Sequence, residues 1–193
     1  MKYLDMFIED CKYYDLENIE LKLILKNVNV KGKTILDLGT GVGRLAFPLA
    51  KHAKKVVALD KDKRLKSYFK IYRPKNLIFV NQEIDRFLKT NRKFDIILLA
   101  WPTFDYNFIN LIKKIMSNKS KFIFITCDNN SDFETIVNKL GVVKKRQFTK
   151  EISNKSKFLA RLSKEFKLVV NRKIKTYYNY PDSKTAFRVI KNE

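Results

Sequence analysis

The 193-residue chain carries 41 Lys and Arg against 20 Asp and Glu, a net charge of +21, and is 45% hydrophobic. That length and apolar content fit one folded domain with a real core and exclude a disordered chain. The longest apolar run, Ile96 to Trp101, falls well short of the roughly 20 residues of a membrane span, so no membrane partner is expected.

In chain order, helices are expected over residues 2–14 and 17–28, then a first strand over 33–38. Strand and helix then alternate. Strands are expected at 55–60, 76–80, 94–100 and 120–126, and helices near 43–52, 62–72, 83–89, 105–116 and 131–140. The runs Phe94 to Ala100 and Lys121 to Thr126 are nearly continuous apolar stretches, the pattern of central parallel strands buried on both faces. Strict alternation implies right-handed crossovers and a doubly wound α/β sheet. An amphipathic helix with a basic outer face is expected over 155–166, from Phe158, Leu159, Leu162 and Phe166. Residues 167–180 read as a long strand and Pro181-Asp182-Ser183 as a turn. Residues 185–190 fit a returning strand; Asp182 or Ser183 capping a last helix over 184–191 is the alternative. One domain over 1–193 is expected, with N-terminal helices in 1–30, a ligand-binding core in 31–140 and a basic part in 141–193 that completes the sheet.

The segment between the first two strands is the most specific feature. Thr34 to Leu38 enters the turn Gly39-Thr40-Gly41-Val42-Gly43-Arg44, and a second apolar run, Val56 to Leu59, ends in Asp60. Glycines admit backbone where side chains would collide with a ligand. An acid at the end of the second strand suits two ribose hydroxyls. The dinucleotide fingerprint needs its third glycine at position 44, which is Arg44. The glycine stands at 43 instead, and Asp37 precedes the loop, where a carboxylate suits a cationic amino-acid moiety better than a pyrophosphate. A nicotinamide-dependent oxidoreductase is therefore disfavoured.

The pattern Asp37-x-Gly39-x-Gly41-x-Gly43, followed by Asp60, resembles motif I of the class I S-adenosylmethionine-dependent methyltransferases. The resemblance spans roughly residues 30–130. It implies a Rossmann-like, mostly parallel sheet with flanking helices, N-terminal helices over the ligand and a C-terminal β extension. It implies S-adenosylmethionine as cofactor, held by Asp37, Gly39, Thr40, Gly41 and Gly43 at the methionine part, and by Asp60 at the ribose. Lys61, Glu83 and Ile84 would border the adenine, and Ala100 would close the strand end. A plain helix-start acid is the other reading of Glu83.

Ala100-Trp101-Pro102-Thr103-Phe104-Asp105-Tyr106 occupies the motif IV position, where acceptor meets methyl group. It lacks the Asn/Asp-Pro-Pro-aromatic signature of exocyclic-amine methylation and has no cysteine nucleophile nearby. Trp101 and Phe104 are candidate acceptor-binding residues, unless Trp101 only plugs the core edge. Asp105 and Tyr106 are the nearby acid–base candidates; Asp105 equally suits a helix cap. Asp128 and Asn129 face the same end.

The acceptor stays open between a small molecule and RNA. The segment 144–175 holds twelve Lys and Arg against Glu151 and Glu165, which suits RNA, although a lysine-rich composition alone would raise the charge. A non-catalytic RNA- or partner-binding protein on the same fold is the alternative. Cys11 and Cys127 lack metal-ligand spacing, and no metal site is expected. With no signal-peptide pattern in Met1-Lys2-Tyr3-Leu4-Asp5, free thiols in the cytoplasm are the expectation. His52 reads as a boundary histidine in the helix after the loop, and no feature specifies an oligomeric state.

Overall fold

A computed structural model describes residues 15, 17–101, 108–127, 156–174 and 185–192. Its elements are α1 (Ile19–Asn27), β1 (Thr34–Leu38), α2 (Ala46–Ala50), β2 (Lys55–Asp60), α3 (Leu65–Tyr72) and β3 (Leu77–Asn81). They continue with α4 (Ile84–Phe87), β4 (Phe94–Ala100), α5 (Phe108–Ile115), β5 (Met116–Cys127), a helix α6 over 156–165, β6 (Lys167–Ile174) and β7 (Thr185–Lys191). The expected helices 2–14 and 131–140 lie outside the described residues.

The seven strands form one sheet in the order β3-β2-β1-β4-β5-β7-β6. Strands β1 to β5 are parallel, and β7 runs antiparallel to both β5 and β6. Alternate side chains leave opposite faces of each strand. Ile35, Val56, Ile96, Ile123 and Phe187 pack with α1, α2 and α3. Leu36, Val57, Ile97, Phe122 and Ile190 pack with α4, α5 and α6. Helices on both faces explain why the central strands are apolar throughout. On α5, Ile109, Ile112 and Ile115 recur at helical spacing and are fully buried; each such side chain contributes about 1.5–3 kcal/mol of burial.

The C-terminal ambiguity resolves as strand. Ala186, Phe187, Val189 and Ile190 are buried, because β7 is inserted between β5 and β6 and is covered on both faces. The capped final helix is thereby corrected. Several boundaries also move. Strand β5 begins at Met116, not 120: the Ser120 hydroxyl donates to Phe94 O at 2.6 Å and accepts from Ser117 N at 2.8 Å, holding a polar stretch extended where no apolar alternation announces it. Helix α2 starts at Ala46, not 43, because Gly41 and Gly43 have φ of 54° and 78°. His52 consequently sits in the turn after α2 and not in it. Helix α3 starts at Leu65, because the Asp62 side chain accepts from Arg64 N at 3.0 Å and folds the preceding residues into a turn.

Gly43 is fixed by packing as well as by φ. A Cβ there would stand 2.6 Å from two ring atoms of Phe47, whose ring stacks on Phe69. Gly43→Ala should therefore destabilise the chain by more than the ~1 kcal/mol of a glycine conformational penalty alone. Thermal denaturation followed by circular dichroism measures this.

Candidate active site

The strand order reverses between β1 and β4, the switch point where open α/β sheets bind ligands beyond the strand ends. The glycine loop begins there. Gly39 N and Thr40 N both donate to Leu59 O, at 2.8 and 2.9 Å, tying the loop to the end of β2. The Asp60 carboxylate fastens it further: Oδ2 accepts from Gly41 N and Oδ1 from Asp62 N, both at 2.9 Å. A carboxylate has about four acceptor sites, so two N–H bonds leave capacity for two hydroxyls. The end of β3 joins the same point, since Gln82 N and Asn81 Nδ2 each donate to Asp60 O at 3.0 Å. Gly39 has φ 69°, and a Cβ built on it meets nothing within 4 Å. Its neighbourhood is open space at the mouth of the loop.

Asp37 lies beneath this opening, 3% exposed, and accepts the Thr40 hydroxyl at 2.7 Å. Burial raises its pKa to about 6; the Thr40 bond and Arg44 pull it down, and Asp60 pushes it up. The folded chain thus favours the neutral form more than the unfolded chain does, while the carboxylate still predominates at pH 7. The corresponding stability is full below the unfolded pKa, near 4, and is lost as pH rises through 6.

A buried network adjoins the loop, and sequence reasoning missed it. Glu20 on α1 is 1% exposed. Its Oε2 accepts from Arg44 Nη2, and its Oε1 accepts from the indole N–H of Trp101 at 3.0 Å. Asp15 accepts from Ile19 N at 2.6 Å and Glu20 N at 2.9 Å, capping the start of α1, and Arg44 Nη1 approaches it at 3.4 Å. Burial and the neighbouring Glu20 raise the Asp15 pKa to about 6. Trp101 has φ 53°, a conformation rare for a bulky side chain. Its backbone N–H donates to Ile125 O at 2.9 Å, and its indole donates to Glu20. One available signal was Glu20 four residues before Ile24, an acid on the buried stripe of a helix, which requires a partner.

Other expected residues are placed more loosely. Ala100 ends β4 and packs against the core with Trp101. Glu83 occupies the position before α4 without a side-chain cap bond and stands 3.7 Å from Lys61, with both side chains largely exposed. Ile84 packs against the opposite core. Phe104, Asp105, Tyr106, Asp128 and Asn129 lie outside the described residues. His52, with Leu25, Val28 and Lys51, lines a cleft of about 350 Å³ beside the start of β1, remote from this site.

Around the loop, Asp15, Glu20 and Asp37 stand near the Arg44 guanidinium and Asp60 stands near Asp37, an acidic cluster in a chain of net charge +21. It fits a cationic ligand carrying a ribose.

Comparison with known proteins agrees. A family model described as a methyltransferase domain matches residues 29–185, beyond the 30–130 over which motifs are recognisable. The chain belongs to this family, the class I S-adenosylmethionine-dependent methyltransferases, whose cofactor is S-adenosylmethionine. It is 33% identical over 108 residues, 54% of its length and 36% of the relative's, to the probable ribosomal RNA small subunit methyltransferase A of Methanosphaera stadtmanae. It is 34% identical over 82 residues, 41% of its length and 35% of the relative's, to the ubiquinone biosynthesis O-methyltransferase of Coxiella burnetii. The chain thus spans about a third of each of these relatives. The N-methyltransferase NodS of Bradyrhizobium japonicum, solved with S-adenosyl-L-homocysteine, shares the fold: TM-score 0.64, 14% identity, 93% of this chain and 88% of that one.

Proposed function

We propose that the chain transfers a methyl group from S-adenosylmethionine to an acceptor that is a small molecule or RNA. The observation that carries this is the open glycine loop, with buried Asp37 below it and Asp60 beside it retaining two acceptor sites. Asp60 would take the ribose hydroxyls. Asp37, with Gly39, Thr40, Gly41 and Gly43, would take the methionine part, where an ammonium compensates the buried carboxylate. Lys61, Glu83 and Ile84 would border the adenine, and Ala100 the strand end. When bound, the cofactor supplies a methyl group already activated on a sulfonium. The chain's residues then need to align acceptor and donor and exclude water, which contributes roughly 7–11 kcal/mol. Trp101 and Phe104 would wall the acceptor, with Asp105 and Tyr106 able to take a proton where the acceptor must lose one.

Two expected outcomes test the cofactor site. Trp101 is the chain's single tryptophan and hydrogen-bonds into the network beside the loop. Titration with S-adenosylhomocysteine should give a saturable change in its fluorescence; no saturable binding by fluorescence and calorimetry would remove the proposal. Affinity should also fall about tenfold between pH 7 and pH 5, as Asp37 protonates and can no longer pair with the ammonium. Asp37→Asn should bind weakly at both pH values and flatten the profile. Asp15 titrates in the same range, so a profile unchanged in Asp37→Asn would reassign the effect to Asp15.

The proposed location is the cytoplasm. It is supported by Cys11 and Cys127, which lack metal-ligand spacing and suit free thiols in a reducing compartment. Among the described residues no helix is long and apolar enough to cross a membrane.

A further inference from the structure

We propose that α6 and strand β6, the last of the sheet among the described residues, form a docking track for single-stranded RNA, which makes RNA the acceptor class; this rests on the methyltransferase reading above. Over the described residues 156–174 and 185–192, Lys and Arg outnumber acids eight to one, and the single acid, Glu165, is engaged by Arg161 and Lys113. Lys164, Lys167, Arg172 and Lys173 are exposed.

The strand register sets where these cations stand. Ala100 pairs with Ile125, Ile125 with Phe187, and Phe187 with Arg172. Arg172 is therefore level with Ala100, the strand end beside the proposed methyl-transfer site, three ladder steps or roughly 14 Å away. Cross-strand partners share a face, so Arg172 lies on the face of Phe187, which packs in the core with α1, Trp101 and the loop. Lys167, at the other end of β6, pairs with Lys191. The cations thus run along the edge towards the site. A small acceptor entering at Trp101 would never reach them. A polynucleotide with one nucleotide at Trp101 would cross to Arg172 within a few residues of its own chain.

Lysine on an edge strand also protects against aggregation. That role does not explain Leu168 and Val169, which are 47% and 48% exposed between the cations. Apolar surface interleaved with Lys and Arg suits bases and phosphates together.

The test compares two charge-reversal variants of the full chain. One is Lys164→Glu/Lys167→Glu/Arg172→Glu. The control, Lys66→Glu/Lys70→Glu/Lys75→Glu, changes exposed lysines on α3 and just before β3, at the opposite edge. The probe is a fluorescein-labelled single-stranded RNA of about 20 nucleotides, titrated by anisotropy over a series of salt concentrations. Trp101 fluorescence with S-adenosylhomocysteine checks each fold. The track predicts at least about 30-fold weaker RNA binding by the β6-edge variant, and a salt slope shallower by about 2, from three lost phosphate contacts. The control should lose less than about fivefold, and both should keep cofactor-product affinity. Equal losses in the two variants would overturn the track. So would a wild-type chain that binds S-adenosylhomocysteine but not RNA, or displacement of the RNA by equimolar polyglutamate, which would point to an acidic protein. RNA binding with the expected variant pattern, in a chain that does not bind S-adenosylhomocysteine, would support the track and overturn the methyltransferase reading instead.

Discussion

Asp60→Ala should weaken cofactor binding by at least about a hundredfold. A hydrogen bond to a charged group contributes about 1.5–3 kcal/mol, and the proposed role of Asp60 gives it two, one to each ribose hydroxyl. The substitution also strips acceptors from Gly41 N and Asp62 N, so the loop loses the anchor that shapes it. Asp60→Asn separates the two effects. Its amide oxygen can still accept from one loop N–H, but its NH₂ cannot accept from a hydroxyl. The expected result is stability between that of wild type and Asp60→Ala, with cofactor affinity still strongly reduced. Isothermal titration with S-adenosylhomocysteine reads the affinity, and tight binding by Asp60→Ala would dismiss the ribose assignment.

Glu20→Ala should be the most destabilising single change near the site. It removes the Glu20 partner of the Arg44 guanidinium, which is only 21% exposed and has Asp15 at 3.4 Å, and it removes the Glu20 acceptor of the Trp101 indole N–H. Breaking a buried ion pair from one side costs about 3–5 kcal/mol; the partial exposure of Arg44 discounts that to about 2–4. For a chain of this length the melting temperature should fall roughly 5–15 °C. Trp101 would also lose the indole bond that helps hold it at φ 53°, so the proposed acceptor side of the site should loosen. Glu20→Gln, which keeps an acceptor for the indole, should recover part of the stability. A double-mutant cycle with Arg44→Ala should return a coupling of at least about 1 kcal/mol. Additive losses would mean that the two residues stabilise the chain independently.

The contrast between these two sites shows what the sequence made legible. The place of Asp60 beside the glycine loop was readable because its signal is local: an apolar run, a glycine loop, a second apolar run and an acid fall within 27 residues of one another, Thr34 to Asp60. The doubly wound, parallel character of β1 to β5 followed from the alternation of strand and helix. The Glu20 network was not readable, because its partners lie 24 and 81 residues away, at Arg44 and Trp101. Only folding brings them together, although Arg44 had already stood out where a dinucleotide fold would require glycine. The C-terminal strand was ambiguous for a different reason. Ala186, Phe187, Val189 and Ile190 carry apolar side chains on both faces, which fits a buried strand or a helix, and it took the cover of helices on both sides to decide. The polar start of β5 had no periodic signal, since a serine hydroxyl and not side-chain burial extends that strand.

The measurement that tests the central claim most directly is transfer of labelled methyl from S-adenosylmethionine into a host extract, fractionated afterwards into RNA, protein and small molecules. The account predicts label in the RNA fraction, lost with Asp60→Ala and reduced by the charge reversal at the β6 edge. Label in small molecules alone would keep the methyltransferase and remove the RNA track. No label in any fraction, from a chain that binds S-adenosylhomocysteine, would contradict catalysis and leave a cofactor-binding protein on a methyltransferase fold.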